Sequence, residues 1–280
     1  MHLDGPKRGR EGETGAPDLR VGHLRVTLGQ AEIIRDAGFQ AGGGELIGLI
    51  GPNGSGKTTL LRALAGLVPS AGTLTLGGKA VGGLPRRDLA RTVSLMAQHP
   101  PTDFTFTAEE VVGLGRLPHL PLLGSAGVRD RGAVRSALRR VEAEAFGPRP
   151  LRELSGGERR RVMMAQTLAQ DTPIVLLDEP TAHLDVAHQY ALLTIARELA
   201  DEGRIVLAAL HELPLAARFC TRILVLQAGR VVADGPPLDV LTPTLLADVF
   251  GMQTEVRAGP DGPEIRYLRP LPSSPTPPRS

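Results

Sequence analysis

Tryptophan is absent from this 280-residue chain, aromatic residues make up 3% of it, and cysteine occurs once. A core therefore has to rest on Leu, Val, Ile and Ala. The apolar share of 41% is that of a soluble globular protein, and the length suits one large domain or two intimate ones. A lone cysteine, Cys220, excludes an intrachain disulfide and fits a reducing compartment. Within "ARFCTRILVL" it reads as a small buried residue rather than a reactive thiol. No apolar stretch approaches the ~20 residues that span a bilayer. The opening "MHLDGPKRGREGETG" lacks the apolar centre of a secretory signal. These absences predict a cytoplasmic protein whose membrane contact runs through a partner. The net charge of +2 is too small to indicate a nucleic-acid partner, although the isoelectric point is near 9.0. Lysine is also scarce: only Lys7, Lys57 and Lys79 occur. Where nearly all positive charge is arginine, a lysine inside a glycine-rich loop stands out.

Residues 1–18 are polar and glycine-rich, and 270–280 are rich in proline and serine; both are expected to be disordered tails. Between them "ELIGLI" (45–50), "PIVLLD" (173–178) and "RIVLAAL" (204–210) lack polar alternation. That is the pattern of strands buried on both faces of a parallel sheet. Helical patterns follow at 57–67 and 186–202, each closed near a glycine. Strand, helix, strand in this order predicts an α/β fold. Residues 23–42 alternate better and predict an antiparallel edge sheet. Residues 222–235 and 256–268 read as hairpins turning at Ala228-Gly229 and at Pro260-Asp261-Gly262. Residues 101–154 hold helical pieces broken by Pro and Gly, which predicts a helical insertion.

The chemistry begins at "GPNGSGKT". Gly51, Pro52, Asn53, Gly54, Ser55, Gly56, Lys57 and Thr58 fit G-x-x-x-x-G-K-[ST], a phosphate-binding loop. Its glycines let successive N–H groups turn inward around anionic oxygens, and the helix that follows adds the positive end of its dipole. Lys57 supplies a point charge for the β- and γ-phosphates, and the Thr58 hydroxyl can bind Mg²⁺. Asp178 and Glu179 end a buried run, where neighbouring side chains diverge. Asp178 can therefore face the metal while Glu179 faces the attacking water. His211 follows a third buried run, so three strands each deliver a chemical group at their carboxyl ends, where open parallel sheets place ligands. A second anion site stands at "LSGGE". There Ser155 and Glu158 form a capping-box pattern, and Gly156 and Gly157 expose backbone amides. One chain has little use for two γ-phosphate cradles; two chains packed head to tail would use each other's.

Together these residues resemble the ATP-binding subunit of an ABC transporter, over roughly residues 19–269. The resemblance identifies "GPNGSGKT" with the family's Walker A motif, extending to Thr59. It identifies "LSGGE" with the signature, "IVLLDE" with Walker B and the catalytic glutamate, "AHLD" with the D-loop ending in Asp185, and His211 with the switch histidine. Gln98 in "SLMAQHP" resembles the Q-loop glutamine, which reaches Mg²⁺ and water and senses the permease. The fold so implied is a P-loop NTPase core with a mostly parallel sheet, an N-terminal antiparallel β subdomain and an inserted α-helical subdomain. That insertion covers about 101–154 and runs on into the signature helix to about 170. The implied activity is ATP hydrolysis with Mg²⁺. The implied assembly is a homodimer sandwiching two ATP molecules, each between one chain's Walker A and the other's signature, on the cytoplasmic face of the inner membrane. Its partners are integral permease subunits and, indirectly, a substrate-binding protein. The stretches 106–124, 179–193 and 229–251, with "GRLPH" and "HLDVAHQ", resemble importers of iron-siderophores, haem or vitamin B12.

The sequence departs from the family pattern at Leu28, where an aromatic residue often stacks on adenine. It also carries Glu212 for the usual Asp, Arg160 for Gln, and Gln166 for Arg. His99, His119, His183 and His188 lack metal-ligand spacing. Importers of metal ions or other small solutes stay open. Soluble ABC ATPases of DNA repair or translation would show a coiled-coil or zinc insertion, or a second cassette, and an exporter half would be fused to membrane helices. A non-enzymatic nucleotide-binding regulator would not need Glu179 and His211.

Overall fold

A computed structural model describes residues 17–97, 106–121, 125–260 and 262–271. Among them the strands are β1 (Asp18–Leu28), β2 (Ala31–Gly42), β3 (Leu46–Ile50), β4 (Ala71–Leu76), β5 (Lys79–Ala80), β6 (Val93–Met96), β7 (Ile174–Asp178), β8 (Ile205–Ala209), β9 (Arg222–Gln227), β10 (Arg230–Gly235), β11 (Met252–Gly259) and β12 (Gly262–Pro270). The helices are α1 (Lys57–Leu64), α2 (Arg86–Thr92), α3 (Ala108–Leu114), α4 (Val128–Arg140), α5 (Gly156–Gln170), α6 (Val186–Asp201), α7 (Leu213–Phe219), α8 (Pro237–Val240) and α9 (Pro243–Phe250). Gln98, His99, Asp261 and both chain ends lie outside the described residues.

The three apolar runs become β3, β8 and β7, adjacent parallel strands in a sheet ordered β5-β4-β1-β2-β10-β9-β3-β8-β7-β6. Every residue of these three strands is buried. Their side chains alternate between two cores, as the period of two requires. Ile47, Leu49, Ile174, Leu176, Ile205 and Leu207 join α1 and the N-terminal strands on one side. Leu46, Ile50, Val175, Leu177 and Val206 join the helices of the other. β1 pairs antiparallel with β2 and with β4, which makes the edge sheet expected over 23–42 and widens it. Hairpins form at both expected places, β9–β10 and β11–β12, the second as a separate two-stranded sheet.

α1 has only eight residues, a length at which an isolated helix is marginal. It holds because Leu60, Leu61 and Leu64 are buried, each contributing about 1.5–3 kcal/mol of apolar transfer. On the opposite face α3, α4 and α5 pack together through Val111, Val112, Val134, Leu138 and Val162. A single antiparallel bridge, Thr107 to Pro150, closes the neck of this helical segment.

Several elements were not expected. β6 pairs parallel with β7. Its run is only four residues long and is interrupted by Ser94, which is 1% exposed and accepts a hydrogen bond from the Thr172 hydroxyl. β4 buries only Leu74 and Leu76, so it carries half a pattern. α8 and α9 follow β10; Thr242 caps α9, and Gly251 ends it in a left-handed conformation.

Candidate functional site

The β3–α1 loop is shaped by positions only glycine can occupy. Gly51, Gly54 and Gly56 have φ of 154°, 77° and 107°. A Cβ at Gly51 would stand 2.0 Å from the Leu226 carbonyl oxygen, and one at Gly56 2.7 Å from Ile34 Cδ1. The loop thus leaves β3 pressed against β9 and β2. Gly56 then forms the start of α1 without any side-chain cap, so the first amides of the helix are left to another acceptor. Lys57 folds back across the loop: its Nζ donates to the carbonyl oxygens of Gly51 at 2.8 Å and Pro52 at 3.3 Å.

Asn53 to Thr59 line a cleft of about 260 Å³, together with Ile33, Glu179 and His211. Ser55 is 4% exposed, and its Oγ has no hydrogen-bond partner among the described residues. An orphaned hydroxyl, uncapped amides and a buried ammonium in one concave loop are the donor set a polyphosphate needs. Burial lowers the pKa of Lys57, against the opposing pull of the Glu179 and Asp178 charges.

Asp178 belongs to the set of β7 residues that faces α1. The Thr58 hydroxyl donates to its Oδ1 at 3.0 Å, and it is 2% exposed. Burial raises its pKa, helped by the Glu179 charge and opposed by the Thr58 bond, Arg62 and Lys57. Two hard oxygen donors this close, one of them desolvated, fit a magnesium ion that keeps its other positions for water and phosphate. One residue later the chain turns sharply: Glu179 has φ 51°, and its Oε1 lies 2.5 Å from His211 Nε2. The three strand ends β3, β7 and β8 therefore converge as expected.

The second set of expected residues lies elsewhere. Ser155 caps α5, and Glu158 returns the bond: its Oε2 accepts the Ser155 N–H at 2.8 Å, and the Ser155 hydroxyl accepts the Glu158 N–H at 3.3 Å. That backbone bond holds the Glu158 carboxyl below its usual range. Gly156 and Gly157 stand beside this cap, and none of the four lines the cleft. Asp185 caps α6 through the His188 N–H at 2.9 Å and is likewise outside the cleft. Gln98 lies outside the described residues.

One residue was missed. Leu28, where a base-stacking group was sought, is 41% exposed at the end of β1 and does not line the cleft. Ile33 does. The Gly29-Gln30 turn returns the chain so that Ile33 on β2 packs beside Gly56, whose Cβ would meet Ile33 Cγ2 at 3.5 Å. Its signal was the pair "II" in an otherwise polar stretch. The "GRLPH" segment is a brace: Arg116 Nη1 donates to the Ala169 carbonyl and His119 Nε2 meets the Gln170 carbonyl, both at 2.8 Å, at the end of α5.

Comparison with known proteins agrees with this geometry. Residues 34–182 match the ABC transporter family. A hemin import ATP-binding protein of Pseudomonas entomophila is 43% identical over 87% of this chain and 96% of its own. A cobalamin import ATP-binding protein of Halobacterium salinarum is 42% identical over 86% of this chain; the match spans 61% of that relative's length. The fold also matches an ABC transporter solved in an inward-facing conformation, with a TM-score of 0.78 at 22% identity, over 92% of this chain and 98% of the other.

Proposed function

The chain belongs to the ABC transporter family as an ATP-binding subunit, and from that premise we propose that it hydrolyses ATP to drive import of a metal chelate through a separate membrane permease. The observation that carries the hydrolytic reading is the meeting of the phosphate loop and the Glu179–His211 pair in one cleft, with buried Asp178 hydrogen-bonded to the Thr58 that lines it. The loop from Gly51 to Thr59 holds the triphosphate, with Lys57 released from the Gly51 and Pro52 carbonyls toward the β- and γ-oxygens. Thr58 and Asp178 hold magnesium, with Gln98 as a further ligand. The ion neutralises charge on the phosphates. Glu179 takes the proton of the attacking water, a role worth ~10²–10⁴ in rate. His211 keeps that carboxylate aimed. Ile33 offers the apolar surface nearest the loop.

The site is completed in trans. Ser155, Gly156, Gly157 and Glu158 form a pre-capped anion site that does not line the cleft of the same chain, so a second copy supplies them in a homodimer. Asp185 stands at the base of α6, where the two copies meet. The helical segment and Gln98 carry contact to permease subunits, and the dimer sits peripherally at the cytoplasmic face of the membrane. Among the described residues no helix is long and apolar enough to cross a membrane. A substrate-binding protein delivers the cargo from the other side.

The cargo class follows from relatives named for hemin and cobalamin import and from the "GRLPH" and "HLDVAHQ" resemblance. The test is to reconstitute the chain with its permease in proteoliposomes and measure ATP hydrolysis with binding protein loaded with haem, cobalamin or a ferric siderophore. Stimulation by one of these is expected. Stimulation only by a bare metal ion or another solute would overturn the substrate class, and no hydrolysis at all would overturn the whole reading.

A further inference from the structure

Between Glu179 and Asp185 the backbone departs twice from ordinary geometry. Glu179 (φ 51°) and His183 (φ 62°) both occupy the left-handed region without being glycine. Such residues persist only where their surroundings over-determine them. The loop's own turn bonds are long: Ala182 N–H to Glu179 O and Leu184 N–H to Thr181 O each span 3.3 Å. The loop therefore needs an anchor from outside.

Thr181 provides it. The residue is 1% exposed. Its hydroxyl donates to Glu212 Oε2 at 3.1 Å, and its carbonyl accepts from Gln189 Nε2 on α6 at 3.4 Å. Glu212 stands at the start of α7, yet its side chain makes no cap bond there and reaches Thr181 instead. The levers are short. Thr181 is two residues beyond Glu179, and Glu212 is one beyond His211. The bond thus ties the β7 loop to the β8 loop immediately behind the 2.5 Å contact between Glu179 and His211.

We propose that Thr181 and Glu212 are positioning residues for hydrolysis: their hydrogen bond fixes the strained β7 loop in the register at which Glu179 meets His211. This rests on the reading of Glu179 and His211 as hydrolytic groups. The carboxylate is needed as an acceptor at the right reach, not as a charge. An amide oxygen in the same place would serve, and a side chain one methylene shorter would not.

The experiment measures steady-state ATP hydrolysis by the purified full-length chain and its variants, with nucleotide affinity and melting temperature recorded for each. Thr181→Val removes the hydroxyl at constant shape and is expected to lower kcat about tenfold, the effect of one lost hydrogen bond expressed in the barrier. KM for ATP is expected to stay within about twofold, because the phosphate loop is untouched. Thr181→Ser and Glu212→Gln are expected to keep most of the rate, whereas Glu212→Ala and Glu212→Asp lose it. The double variant Thr181→Val/Glu212→Ala is expected to be no slower than either single one, as for two ends of one bond. Wild-type turnover in Thr181→Val, a loss confined to KM, or a double variant slowed by the product of the single effects would overturn the proposal while leaving the hydrolytic reading intact. A wild-type chain without hydrolysis would instead remove that reading, and this proposal with it. If Thr181→Val does not fold, the Glu212 series decides by the same criteria.

Discussion

The two helix starts expected to meet phosphate are built in opposite ways. α1 begins at a left-handed glycine with no side-chain cap, at a cleft where Lys57 and Ser55 are buried and Thr58 bonds the buried Asp178. α5 begins at an exposed serine that exchanges a capping-box pair of bonds with its own Glu158. The first leaves the Ser55 hydroxyl and the opening amides of α1 without acceptors and buries a lysine and a carboxylate, so the cleft carries a cost to stability that a bound polyphosphate and cation would offset. The second is stable by itself and offers only its flanking glycine amides. On the proposed reading these are two halves of one pocket, the first primed and the second finished, and the second does not line the cleft of its own chain. The proposed reading therefore calls for a second copy to complete the pocket.

That contrast can be broken most forcefully at the base. Glu179→Gln is expected to lower kcat by about 10²–10⁴ while ATP still binds, because the phosphate loop is unchanged; a phosphate-release assay with a parallel nucleotide titration checks it. A comparable kcat in the variant would move the base elsewhere. Gly51→Ala comes next. With φ at 154° and the Leu226 carbonyl 2.0 Å from the new Cβ, the loop must shift, and both nucleotide affinity and the melting temperature are expected to fall.

The two smaller effects run in opposite directions and sharpen the comparison. Ser155→Ala removes a capping box and is expected to cost about 1 kcal/mol of stability in the nucleotide-free chain, read by denaturant unfolding. Asp178→Asn keeps an oxygen for the Thr58 hydroxyl and removes a carboxyl whose folded-state pKa is raised by burial. A raised pKa means the folded state binds the proton more tightly than the unfolded one. The wild type therefore loses stability as pH climbs from the ordinary carboxylate value through the raised one. Asp178→Asn is expected to melt higher than wild type at neutral pH, with the gap closing below about pH 4. A lower melting temperature at neutral pH would mean that the cleft is not held at a cost.

The parts of this arrangement that could be read from the sequence are those where one physical demand rules. Buried parallel strands show as unbroken apolar runs, so β3, β7 and β8 were visible. Phosphate cradles need glycine at fixed offsets, so the loop from Gly51 to Thr58 was visible. A capping box has a fixed spacing, so Ser155 and Glu158 were visible. Where demands compete, the pattern fails. β6 carries the buried Ser94 for a hydrogen bond with Thr172, which breaks its apolar run. Ile33 is near the phosphate loop because a two-residue turn folds β2 back, and no periodicity encodes that. The bond from Thr181 to Glu212 spans 31 positions and joins two loops whose meeting depends on the strand order.

The central claim is that a single chain holds two half-pockets and that triphosphate joins two copies. Its most direct test is the solution mass of the Glu179→Gln chain by analytical ultracentrifugation, with and without Mg²⁺-ATP. The expected result is a monomer that doubles in mass with nucleotide, and returns to a monomer when Ser155→Arg places a bulky side chain at the signature turn. A Glu179→Gln chain that binds Mg²⁺-ATP yet stays monomeric, even with its permease supplied, would contradict the account.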